Sequence, residues 1–250
     1  MMMRKLVFGL VKGLLILGVG IGPALTQPAQ KIVSLDYCAD QYVLHFVERD
    51  RIAALSHDAT KPFSYHREKA VGLQQIAPRA ENLLTLQPDL VVRSYGGGLK
   101  AAAYYKKAGI DVVQIPNATQ LADIPAITRQ IGQVLGNPQK AEAEARRVET
   151  ILANPVAPHG ARLFYLTPGG VTAGKGTLID ELIHHAGYDN FFTGKGWHEL
   201  PLESLIQDTP DRIVFATFED NVAGQDNWSP TRHPVIQSLT SSERVTMSGA

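Results

Sequence analysis

From Lys31 onward, short apolar runs alternate with stretches in which apolar residues recur every three or four positions. The runs predict strands at 31–34, 51–55, 90–93 and 111–115, and the periodic stretches predict helices at 40–47, 81–86 and 99–108. Such alternation predicts parallel strands joined by crossover helices. Ala108-Gly109 before Ile110-Asp111-Val112-Val113 is a helix stop that feeds a buried strand. A helical section follows, 121–135 and 139–152, broken at Gly136-Asn137-Pro138. Pro138 suits the first turn of the second helix, which at about 1.5 Å per residue spans roughly 22 Å, enough to join two lobes. The alternation then resumes, with strands at 162–166 and 212–216, helices at 177–186 and 202–207, and a strand-like 244–247. The expected architecture is α/β: two Rossmann-like lobes with mostly parallel sheets, 31–118 and 160–250, joined by a long interdomain helix within 119–155.

An internal echo ties the halves together. Glu81-Asn82-Leu83-Leu84 leads through three residues to Pro88-Asp89-Leu90-Val91-Val92, and Glu203-Ser204-Leu205-Ile206 leads through three to Pro210-Asp211-Arg212-Ile213-Val214. Each copy predicts a short helix, stopped before a proline, that passes into a buried strand. An acid at a helix start is ordinary by itself, because it complements the helix dipole. The same acid at the same place in both halves is not explained that way.

Charge and composition narrow the function. Formal net charge is zero, without a run of Lys or Arg, so nucleic acid is an unsuitable partner. Arg4, Lys5 and Lys12 accompany an apolar run from Gly13 to Gly22, and Gly22-Pro23-Ala24 offers small residues for a signal peptidase. Residues 1–24 are therefore expected to be a cleaved signal peptide, which places the mature protein in the periplasm and leaves it net negative. The run is about half the ~20 residues that a membrane-spanning helix needs. Cys38, the single cysteine, lies beyond that run without the small residues that precede a lipidated cysteine; a missing partner, a free thiol or burial as a small hydrophobe accounts for it, with burial the expected state.

Motifs for catalysis fail in detail. Gly169-Gly170-Val171-Thr172-Ala173-Gly174-Lys175-Gly176 nearly matches a phosphate-cradling loop, but Gly176 stands where a Ser or Thr is needed. The better reading is a tight turn with Thr177 capping the next helix. There is no Gly-x-Ser-x-Gly elbow and no His-Glu-x-x-His pair, so no catalytic residue and no metal ligand set is assigned. Bare-metal capture by His57, His66 and His198 remains a rival reading. Aromatic residues are more suggestive, because Tyr37, Tyr65, Tyr95, Trp197, Phe218 and Trp228 are expected at strand ends or in connecting loops, where open parallel sheets bind ligands. Arg93 or Arg232 could meet a carboxylate or phosphate on a flat ligand, and Gly96-Gly97-Gly98 would let backbone approach it or turn the chain.

Several segments together resemble the cobalamin and ferric-siderophore group of periplasmic substrate-binding proteins of ABC importers. They are Lys31-Ile32-Val33-Ser34-Leu35, Glu81 to Val92, Thr172 to Thr177 with Asp180-Glu181-Leu182, Ala186-Gly187-Tyr188-Asp189-Asn190, and Glu203 to Val214. The resemblance implies two similar lobes with the ligand between them and little hinge closure, no enzymatic activity and no cofactor. It implies a ferric siderophore, cobalamin or haem as ligand, and an ABC permease with its ATPase as partner of a monomeric binding protein. Glu81 and Glu203 match the acids that dock onto permease arginines, Trp197 matches a region that supplies a ligand aromatic, and Tyr37, Tyr65 and Tyr95 match ligand loops more loosely. Members of the group continue past the strand that precedes Ser248-Gly249-Ala250, so the sequence is expected to be C-terminally truncated. A haem or metal-ion receptor of such an importer and a secreted hydrolase are the alternative functions.

Overall fold

A computed structural model describes residues 29–98, 100–217, 233–239 and 243–248. The first half runs β1 (Ile32–Ser34), α1 (Tyr37–Phe46), β2 (Ile52–Ser56), α2 (Arg67–Ala70), β3 (Gln75–Ile76), α3 (Ala80–Leu86), β4 (Leu90–Arg93), α4 (Ala101–Lys107) and β5 (Asp111–Gln114). The strands form one parallel sheet in the order β3-β2-β1-β4-β5. Every residue of β1 and β4 is buried, as expected of central parallel strands covered on both faces. One face packs Val43, Phe46 and Leu55 with Ile131, and the other packs Leu83, Val91 and Tyr105.

A tight turn at Leu121–Asp123 leads into α5 (Ile124–Val134) and α6 (Pro138–Leu152). Helix α6, which leads from the first half to β6, also packs as one arm of a hairpin. Helix α6 folds back against α5 over Gly132, where an added Cβ would lie 2.2 Å from the Ala141 Cβ. It also sits on the first half, since the Asn137 Nδ2 donates to the Phe46 carbonyl at 3.3 Å and the Lys140 ammonium donates to the His45 carbonyl.

The second half runs β6 (Arg162–Leu166), β7 (Val171–Ala173), α7 (Leu178–His185), β8 (Asp189–Asn190), β9 (Trp197–Glu199), α8 (Leu202–Gln207), β10 (Arg212–Thr217), α9 (Pro234–Ser238) and β11 (Glu243–Ser248). Strands β8-β6-β10-β11 form a second parallel sheet, separate from the first, and β7 and β9 pair as a short antiparallel ribbon. The echo acquires a structural cause here. Asp89 Oδ2 accepts the backbone N–H groups of Gln30 and Lys31 at 2.9 Å, at the start of β1, and Asp211 Oδ2 accepts that of Arg162 at 2.7 Å, at the start of β6. Each Pro-Asp pair thus latches its own strand to the neighbouring parallel strand. The connecting section is tied to the second half, since Glu181 of α7 accepts the Leu121 N–H at 2.7 Å and the Val156 N–H bonds to the His185 carbonyl at 2.9 Å.

Candidate functional site

In the first sheet the strand order reverses between β1 and β4, because β2 and β3 lie to one side of β1 and β5 lies to the far side of β4. The loops leaving β1 and β4 meet at the carboxyl ends of the strands, the ordinary ligand position in open α/β sheets. Asp36 holds the two loops together. Its Oδ1 accepts the Ala39 N–H at 2.9 Å and so caps α1, while its Oδ2 accepts the N–H groups of Ser94, Tyr95 and Gly96 at 2.7, 3.0 and 2.9 Å. Capping starts α1 three residues earlier than the sequence pattern suggests, so Tyr37 stands in the first helical turn and not in a loop.

This clamp sets Tyr37 and Tyr95 side by side, ring centroids 5.8 Å apart and edge to face, with Phe63 on the other side of Tyr37 at 5.4 Å. Phe63 was not among the residues expected from sequence; a ring in a polar loop carries no pattern, and only the fold of 57–66 brings it here. Burial, with the neighbouring Cys38, pushes the Tyr37 phenol up to about 12, and burial beside Tyr37 raises Tyr95 further still. Burial and the nearby Asp36 carboxylate push the Cys38 thiol up to about 11. The thiol is half-buried and exchanges a hydrogen bond with Tyr37, which corrects the expectation of a core hydrophobe. These groups stay protonated at neutral pH, so they form an aromatic, hydrogen-bonding surface and not a nucleophile.

Other expected residues fall elsewhere. Arg93 is only 4% exposed, and its guanidinium donates to the Gly98 and Tyr95 carbonyls at 2.9 and 3.1 Å, so it braces the 95–98 loop and does not face a ligand. In that loop a Cβ on Gly96 would meet the Leu35 carbonyl oxygen at 2.4 Å, and Gly97 and Gly98 have φ of +81° and +83°. The glycines therefore turn the chain. Tyr65 is 80% exposed and packs against His66, away from the Tyr37 to Tyr95 pair. Trp197 lies in β9, not in a loop, with its ring 6.2 Å from Tyr165. Phe218, Trp228 and Arg232 lie outside the described residues.

The near-match to a phosphate loop is a packed corner. The N–H groups of Gly174 and Lys175 donate to the Gly196 and Gly194 carbonyls, both at 2.8 Å, and a Cβ on Gly174 would lie 2.1 Å from the Gly194 oxygen. Thr177 Oγ1 accepts the Asp180 N–H at 3.1 Å, the expected cap. The histidines have separate partners: His57 faces Asp58, His66 stacks on His45, and the His198 ring bonds the Lys195 carbonyl. Among the described residues, no group of three or more His, Cys, Asp or Glu side chains is arranged to hold a metal ion. Glu81 and Glu203 are both exposed, each in the first turn of its helix, α3 and α8.

Comparison with known proteins follows the same lines. A family described as periplasmic binding protein matches residues 32–244. A cobalamin-binding protein of Halobacterium salinarum is 27% identical over 209 residues, 79% of this chain, and the chain spans only 57% of that relative's length. A vitamin B12-binding protein of Pectobacterium atrosepticum is 25% identical over 191 residues, covering 69% of this chain and 68% of that one. Among solved structures, the periplasmic heme-binding protein HutB of Vibrio cholerae superposes with a TM-score of 0.71 at 20% identity, over 88% of this chain and 90% of that one. The periplasmic vitamin B12-binding protein BtuF of the same organism gives 0.62 at 20% identity, over 88% of each. The structural likeness establishes the two-lobed fold.

Proposed function

The chain belongs to the periplasmic binding protein family, and from that premise we propose that it is an extracytoplasmic solute-binding protein that carries a flat metal chelate to an ABC-type permease. Its role is capture and delivery, as a monomer, with no chemical conversion of the cargo. Export through a cleaved signal peptide at 1–24 belongs to this reading, and those residues lie outside the described ones. The observation that carries the proposal is the Tyr37, Tyr95 and Phe63 cluster at the reversal point of the first sheet. Neutral aromatic rings held by a rigid clamp suit a large, flat, partly apolar ligand such as a corrinoid, haem or ferric siderophore. Trp197, exposed on the second half, supplies a further ring. The names of the relatives favour cobalamin and haem over other cargoes.

Docking is read from the duplicated surface. Beside Glu81 and Glu203, one helical turn on, stand Leu84 at 38% and Ile206 at 68% exposure, so each half offers an acid with an apolar neighbour. A pair of matching patches suits a permease of two similar subunits that presents arginines.

Intrinsic tryptophan fluorescence titrated with cobalamin, haem and a ferric siderophore tests the cargo. One class is expected to give saturable quenching, weakened about tenfold by Tyr95→Ala, the worth of one stacked ring. Absence of a response to all three, or affinity indifferent to both Tyr37→Ala and Tyr95→Ala, overturns the reading.

A further inference from the structure

A pocket of about 350 Å³ lies between α1, α5, α6 and the 57–66 loop, on the flank of the first half and outside the Tyr37 to Tyr95 cluster. Five of its eleven lining residues are rings: Tyr42, Phe46, His45, His66 and Tyr65. Gln41 fixes the loop onto α1, because its Nε2 donates to Ser64 Oγ at 3.0 Å and its Oε1 accepts the His66 N–H at 2.9 Å. The pocket is therefore formed before any ligand arrives. His45 and His66 stack with centroids 5.4 Å apart and planes 14° from parallel. Burial lowers both imidazoles, His66 to about 4, so at neutral pH they present uncharged flat faces.

The charge around these rings is unbalanced. Lys69, Lys140 and Arg147 all act on the two imidazoles or line the pocket, and burial together with Lys140 holds the Lys69 ammonium below the usual lysine range. The carboxylate among them, Glu144, is engaged by Arg147 at 2.6 Å. Within the lining Arg147 and Glu144 offset each other, so Lys69 and Lys140 beside the pocket leave a positive field over the rings that an anion would relieve. Tyr65 stands at the mouth with its ring largely bare to water, a cost that a flat apolar body would remove.

We propose that this pocket is a ligand site for a small aromatic carboxylate whose ring lies against Tyr42, Phe46 and the stacked imidazoles, covered by Tyr65 at the mouth, and whose acid group meets Arg147 within the positive field that Lys69 adds. The volume is at the small end of ligand pockets and admits one or two fused rings.

Titration of the full chain with 2-naphthoate, followed by calorimetry and by saturation-transfer NMR on the ligand, tests the site. Saturable binding is expected, about tenfold weaker for the uncharged 2-naphthamide and for the non-aromatic cyclohexanecarboxylate. Tyr65→Ala and Lys69→Gln each weaken naphthoate about tenfold, whereas Tyr95→Ala, at the first site, leaves it unchanged. Lys69→Gln keeps the Arg147 to Glu144 pair intact, so its effect does not reflect a disturbed α6. Equal affinity for acid and amide, loss on Tyr95→Ala with retention on Tyr65→Ala, or no saturable binding overturns the proposal.

Discussion

Asp36 does more for the candidate site than any aromatic residue in it. One carboxylate both begins α1 and gathers three N–H groups of the 94–96 loop, and the positions of Tyr37 and Tyr95 follow from that. The same charge, with burial, sets the chemistry of Cys38. A thiol raised to about 11 carries little thiolate at pH 8, and the thiolate is the reacting form. Alkylation of Cys38 by iodoacetamide is therefore expected to run at least about tenfold slower than that of a free cysteine at pH 8 and to keep climbing past pH 10, where the free thiol has levelled off. Stability has the matching sign. Between the unfolded value near 8.5 and the folded value the native state holds the extra proton, so stability falls as pH rises through that window. A rate that levels off near pH 9 would contradict the burial of this thiol.

Among the elements, the α5–α6 hairpin shows how a small residue decides packing. Arg129 of α5 reaches Glu142 and Glu149 of α6 at 2.6 Å each, but these groups are open to solvent over a third or more of their surface and add little to stability. The close crossing at Gly132 carries more, because its place is filled by the Ala141 methyl group. Gly132→Ala is expected to cost about 2 kcal/mol, the usual price of overpacking, as measured by urea unfolding. Adding Ala141→Gly should recover most of that loss. An unchanged midpoint in the single variant would mean that the helices do not cross so closely.

The whole molecule repeats one plan. Each sheet has a central strand latched by a Pro-Asp pair and a helix whose first turn presents an exposed glutamate 122 residues from its counterpart. If those acids dock onto the permease, replacing Glu81 and Glu203 together with Ala abolishes transporter-dependent uptake while cargo affinity changes less than about twofold, since neither acid adjoins the aromatic cluster. Complex formation of the unaltered chain should weaken as salt rises, through a slower on-rate. Uptake preserved in the double variant ends the docking reading and leaves the cargo proposal standing.

The sequence by itself determined the α/β alternation, the positions of β4, β6 and α8, the Thr177 cap and the duplicated helix-to-strand unit, because periodicity, capping and proline act within a few residues of chain. It also set Tyr37 and Tyr95 near the carboxyl ends of β1 and β4. Tertiary structure alone decided that Phe63 joins them, that Arg93 turns inward, that Tyr65 leaves for a different pocket, and that β7 and β9 pair across more than twenty intervening residues. Each of those outcomes depends on a partner distant in sequence, such as the Asp36 carboxylate or the Gly194 and Gly196 carbonyls, and a contact between distant segments leaves no local pattern to read.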